Sequence, residues 1–212
     1  GYIFNPDPVT TAEVYYGGPY IDNNDADTPE LNDQRILVPL LDITFEDDLY
    51  HLRGPYVQIT DFEAPEIAPV ALPDPFGFTF TRSHSGFEDV MVYYHIDTAQ
   101  RYLQVLGFNE IQNQPIEVDP HGVDGEDNSY YSPFMNRIAF GEGGVDDAED
   151  ADVIYHEYGH AIQFTQVPDW EGGHTNSLGE GFADYWAGTF SARLSEFLSL
   201  IHISEPTRLR RI

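Results

Sequence analysis

The chain has no cysteine and no lysine. The first absence rules out any disulfide, so no covalent cross-link stabilises the fold and redox chemistry says nothing about compartment. The second leaves arginine as the sole strong base: nine arginines stand against 37 acidic residues, a formal charge of −28. A surface of that sign repels nucleic acid and anionic membranes, so neither is an expected partner. No apolar run approaches the roughly 20 residues of a membrane span. A leader of basic and then apolar residues is also missing, and the chain opens on Gly1, so any signal peptide or pro-segment is expected upstream.

What is present marks a globular chain. In 212 residues, 41% are hydrophobic and 14% aromatic, enough for one sizeable core or two modest lobes. The acidic excess has two readings. Carboxylates gathered together suit calcium, which takes oxygen ligands and can brace a fold that has no disulfides. A dense negative surface also keeps a protein solvated in high salt, where screening removes its self-repulsion. The two are compatible.

The sharpest pattern is His156-Glu157-Tyr158-Gly159-His160. Histidines four apart on a helix stand about 40° apart around its axis and can grip one metal ion. The glutamate between them is placed to take a proton from a water at the open coordination position. A third ligand is offered by Glu180, twenty residues past His160, and Asp184 lies one helical turn beyond it as an acceptor able to fix a ligand histidine. Plainer readings exist for each. The histidines can be solvated on a surface helix, Ser177 and Glu180 fit a capping box, and Asp184 can be a solvated helix residue.

DADVIYHEYGHAIQ followed by GEGFADYWAG resembles the thermolysin-like gluzincin peptidases, with GEGFADY more similar to the fungalysin branch. The resemblance covers roughly residues 85–197. It implies a zinc endopeptidase with His156, His160 and Glu180 as Zn²⁺ ligands, Glu157 as general base and Asp184 as hydrogen-bond partner of a ligand histidine. It also sets the strand around Asn128, Ser129 and Tyr130 beside the scissile peptide, makes Asp152 a candidate Ca²⁺ ligand, and implies a secreted protein acting on peptides or proteins. The Gly-x-Met-Glu-Asn segment of related aminopeptidases is absent. In the family, a helical lobe follows the glutamate helix and supplies a histidine that stabilises the tetrahedral intermediate. His174, in the loop after the metal helix, is an alternative oxyanion donor or a solvated loop residue.

Residues 1–84 read as β-rich and loop-rich, with ten prolines expected to break every helix. Strands are expected at 36–41, 56–59 and 76–80. Asn23, Asp25 and Asp27 alternate in a loop that suits either calcium or a solvated acidic turn; His51 and His84 read as surface residues. A long helix is expected from a capping box at Ser85 and Glu88 to Gly107, with a core stripe of Val90, Met91, Tyr94, Thr98, Tyr102 and Val105. His95 on it reads as structural or exposed. The segment 128–141 is an edge strand or a plain hairpin, and its exposed backbone suits strand addition by a peptide. The acidic run 146–152 partly serves the helix dipole. The metal helix is expected over 152–165, with Ile154, Tyr158, Ala161 and Ile162 toward the core, and the next helix over 177–190, with Tyr185, Trp186 and Phe190 packed behind Glu180.

The end of the chain reads differently. LSLIHISEPTR, residues 198–208, matches the conceptual translation of a transposase adapter used in sequencing libraries, with 209–212 as further read-through. An amphipathic helix end is the ordinary alternative. Without 198–212 the formal charge becomes −30. The expected organisation is α+β: a β-rich region 1–84, the N-terminal catalytic lobe of a zincin over 85–197 with its active-site helices, and the tail. The helical lobe of the family would then be a missing partner of its own chain, and this piece is expected to be inactive without it. A rival reading is a non-cleaving lobe that binds zinc or calcium.

Overall fold

The computed structural model describes residues 1–22, 25–169 and 173–194, with the side chains at 173, 174, 193 and 194 outside that description. Asn23 and the adapter-like stretch 198–212 therefore lie outside the described residues. The architecture is mixed α+β.

Strand β1 (Tyr2–Ile3) is followed by two one-turn helices, α1 (Pro8–Thr11) and α2 (Pro29–Asn32), and by β2 (Ile36–Leu37), which pairs antiparallel with β1. The prolines expected to break helices here begin them. Pro8 and Pro29 stand in the first helical turn, where a missing N–H costs nothing, and Asp7 and Thr28 cap the free amides behind them. Four short strands come next: β3 (Thr44–Glu46), β4 (Leu49–His51), β5 (Val57–Ile59) and β6 (Ala71–Leu72). β3, β4 and β6 make a small antiparallel sheet that carries the half-buried His51. Residues 76–80 are not a strand, contrary to expectation. The Asp74 carbonyl and carboxylate take the Gly77 and Phe76 amides, and the Phe80 carbonyl accepts from Arg35, so the backbone is satisfied locally. His84 is exposed and stacks on Phe80.

Helix α3 (Gly86–Val105) is buried on most of its circumference, from Phe87 and Val90 to Ala99 and Leu103. The capping box at its start does not form. Ser85 is already helical and its side chain makes no cap, while Glu88 turns inward and is buried. The end is as expected: Gly107 has φ +89°, and the Phe108 and Gly107 amides bond to the Leu103 and Gln104 carbonyls. Val105, expected in the core stripe, is 81% exposed, because two residues past buried Leu103 it points about 200° away. His95 is fully buried. Its Nε2 donates to the Phe4 carbonyl at 3.0 Å, which fixes the neutral tautomer whose Nδ1 accepts from the Tyr155 hydroxyl at 2.6 Å.

Strands β7 (Ile116–Asp119), β8 (Ser129–Ser132) and β9 (Arg137–Phe140) join β5 in a four-stranded sheet of order β5-β7-β9-β8. β5, β7 and β9 run parallel; β8 is the antiparallel edge, paired from Ser129 opposite Phe140 to Ser132 opposite Arg137. Helices α4 (Ala151–Gln166) and α5 (Gly173–Leu194) complete the described fold, with α4 packed on α3, β8 and α5. One core holds Ile3, Phe4 and Ile59 from the first 84 residues together with Phe87, Ile138 and Ile154 from beyond.

Candidate metal centre

Helix α4 begins at Asp150, whose carboxylate caps the Asp152 amide at 2.8 Å, and ends before Val167-Pro168. Its buried face carries Ile154, Tyr158, Ala161 and Ile162, as the periodicity requires. Fixing that face toward the core turns Glu157 and His160 toward a cleft, with His156 buried behind them.

Helix α5 starts one turn earlier than expected, so Ser177 lies inside it and no capping box holds Glu180. Ala183, Ala187 and Phe190 are its buried line, and Trp186 stacks on Phe190. Tyr185 is 72% exposed, not packed behind Glu180, since two residues past Ala183 it points about 200° away. Glu180 and Asp184, one turn apart, reach across to α4 from the same side.

Three donor atoms meet there. His156 Nε2 lies 3.2 Å from Glu180 Oε2 and 3.2 Å from His160 Nε2, and His160 Nε2 lies 3.5 Å from Glu180 Oε2. Ligand atoms of a tetrahedral zinc ion bound at about 2.0–2.1 Å stand about 3.3 Å apart, so this triangle has the size the ion needs. Asp184 Oδ1 lies 2.8 Å from His156 Nδ1. A carboxylate only accepts, so Nδ1 carries the proton and the Nε2 lone pair faces the other two ligand atoms. Burial, and then the neighbouring His156, push the His160 pKa down, which favours the neutral ligand form.

Glu157 is buried beside this triangle and accepts a bond from the Tyr131 backbone N–H of β8. Burial, then the charges of Glu180 and Asp147, push its pKa up to about 8; a dication beside it would oppose that shift. The cleft, about 280 Å³, is lined by Ser129, Tyr130 and Tyr131 on one side and by Glu157, His160 and Glu180 on the other. Ser129 bonds through Oγ to Asp147 at 2.6 Å, and the Tyr130 hydroxyl bonds to Glu63. Asn128 does not line the cleft; its amide and carbonyl bond to Glu126 and Gly141. Asp152 is buried on the first turn of α4 and accepts from the Ser191 hydroxyl. The His174 side chain lies outside the described residues.

Tyr131 and Gly159 were missed by sequence reasoning. Tyr131 enters through strand register, which a sequence does not print. Gly159 was visible inside the motif, but its role depends on the facing helix.

No family model and no curated protein matches the sequence. Among solved structures, the precursor of protealysin, a metalloproteinase from Serratia proteamaculans, superposes with a TM-score of 0.47 at 11% identity. The match covers 70% of this chain and 44% of that one, so the chain spans less than half the length of the structure it resembles.

Proposed function

We propose that the chain is the catalytic lobe of a zinc-dependent, thermolysin-like endopeptidase that hydrolyses peptide bonds. The observation that carries this reading is the triangle of His156 Nε2, His160 Nε2 and Glu180 Oε2, with sides of 3.2, 3.2 and 3.5 Å and buried Glu157 beside it. Two imidazoles and one carboxylate are the donor set of a catalytic zinc that keeps a fourth position open.

When bound, zinc acts as a Lewis acid toward the attacking water and the scissile carbonyl. The chain's own residues do the rest. Asp184 holds the His156 ring with its lone pair toward the ion. Glu157 takes the proton of the attacking water on its carboxylate and passes it to the departing amine, and the Tyr131 N–H aims that carboxylate. The β8 edge offers backbone groups on which an extended peptide can lie as an added strand, with Ser129 and Tyr130 beside it. In this reading the oxyanion donor comes from a helical lobe following the glutamate helix. Secretion fits the charge of −28, and no described helix is long and apolar enough to cross a membrane.

The test is zinc content by elemental analysis, paired with cleavage of a quenched peptide library. Wild type and Glu157→Gln should each hold one zinc, His160→Ala should lose it, and in the enzyme completed by its helical lobe cleavage should vanish in Glu157→Gln. Undiminished turnover in Glu157→Gln would overturn the mechanism. Zinc without any cleavage even in the enzyme completed by that helical lobe would favour the non-cleaving binding lobe instead.

A further inference from the structure

A second convergence of ligand atoms lies outside the His–Glu centre. One carboxylate oxygen from each of Asp25, Glu88, Asp146 and Glu149 lies within 4.8 Å of the other three. Glu88, Asp146 and Glu149 are buried, and Asp25 stands on the solvent side. The local fold brings them together. Glu88 sits on the first turn of α3, Asp146 precedes and Glu149 ends the 3-10 turn ahead of α4, and Asp25 comes from the loop before α2.

Two observations beyond acidity point to a ligand. Glu88 is only 2% exposed, yet its Oε2 has no hydrogen-bond partner although its carboxyl is aimed into the group. An orphaned buried carboxylate oxygen is costly and calls for a counter-ion. The charge around it is also uncompensated. Among the described residues Arg82 is the one guanidinium there, and it is engaged by Glu149 at 2.7 Å, by Asp22 and by Asp25 at 3.7 Å. His121, the other nearby cation, is held by Glu142 at 2.7 Å and Asp89 at 3.6 Å.

The donors are all hard oxygens, which excludes a zinc-type site and suits calcium or magnesium. Four carboxylates converging on one point favour calcium, which takes six to eight oxygen ligands in flexible geometry, whereas magnesium keeps most of its waters and binds through one or two carboxylates. A cavity of about 570 Å³, lined among others by Tyr16, Tyr20, Asp22, Arg82, Asp146 and Glu149, gives an ion and its waters a way in. We propose that Asp25, Glu88, Asp146 and Glu149 form a calcium site that ties the 25–28 loop and the turn before α4 to the start of α3. It is built from residues other than Asp152 and does not depend on the peptidase reading.

The test uses the full chain, stripped by chelator, reloaded with zinc and titrated with calcium chloride by calorimetry. Wild type should take up one calcium at this site and melt several degrees higher in its presence. Glu88→Gln should lose that uptake while keeping its zinc. Should Glu88→Gln fail to fold, Asp25→Asn on the solvent side remains informative, with affinity at least about tenfold weaker expected from the lost ligand charge. No calcium uptake at millimolar concentration, or uptake unchanged in both variants, would overturn the site. So would uptake abolished by His160→Ala alone, which would place the ion at the zinc centre.

Discussion

A Cβ built on Gly159 would stand 2.9 Å from the Cα of Ala183 and 3.3 Å from its Cβ. Helices α4 and α5 thus touch backbone to backbone in the middle of the metal motif. That close approach lets the carboxylates of Glu180 and Asp184 reach His156. Gly159→Ala is therefore expected to push α5 away, costing about 1–3 kcal/mol as an overpacked contact and weakening zinc binding. Thermal melts with zinc titration check this; unchanged affinity would mean that α5 adapts without moving Glu180.

Asp184→Asn keeps the shape of the side chain but can offer His156 Nδ1 only an amide oxygen. Zinc affinity should fall about 10–100-fold, the usual cost of removing a partner behind a ligand histidine. The ligand triangle itself remains, so metal competition assays should show weakened binding, not lost stoichiometry.

His95 makes stability depend on acid. Burial pulls its pKa from 6.5 down to about 4, against the opposing bond to the Phe4 carbonyl and the Asp152 charge. The unfolded chain therefore binds a proton between those values that the native chain refuses. Stability from this residue is complete above pH 6.5 and declines as pH falls toward 4, by roughly 3 kcal/mol. His95→Gln should be less stable than wild type at pH 7, and the gap should narrow by about that amount at pH 4. Parallel curves in urea melts at the two pH values would refute the assignment.

Asp150 caps α4 through the Asp152 amide. Asp150→Ala should lower stability by about 1 kcal/mol, or roughly 2–4 °C in a chain of this length. Differential scanning calorimetry reads this directly, with zinc stoichiometry expected to stay at wild type.

Much of the local structure was legible in residue order. Helix α4 lies within a residue of its expected start and end, because a core stripe, an acidic cap and Val167-Pro168 bound it. Gly107 ends α3 as its position suggests. Failures came where a local signal had a tertiary competitor. Ser85 and Glu88 have capping spacing, but Glu88 is drawn into a buried acidic group. Ser177 and Glu180 share that spacing, yet α5 begins before them. Aromatic residues at 76–80 suggested a strand, but Arg35 and Asp74 satisfy the backbone instead.

The sequence by itself determined that His156 and His160 share one face, because a four-residue spacing places both on one side of any helix they form. It also determined which side of that helix is core, since periodicity needs no partner to be read. Only the tertiary structure decided that Tyr131 aims Glu157, that Gly159 admits α5, and that Glu88 faces Asp25, Asp146 and Glu149. These depend on distances between segments up to 124 residues apart in the chain, set by how the core closes, and no local pattern encodes such distances.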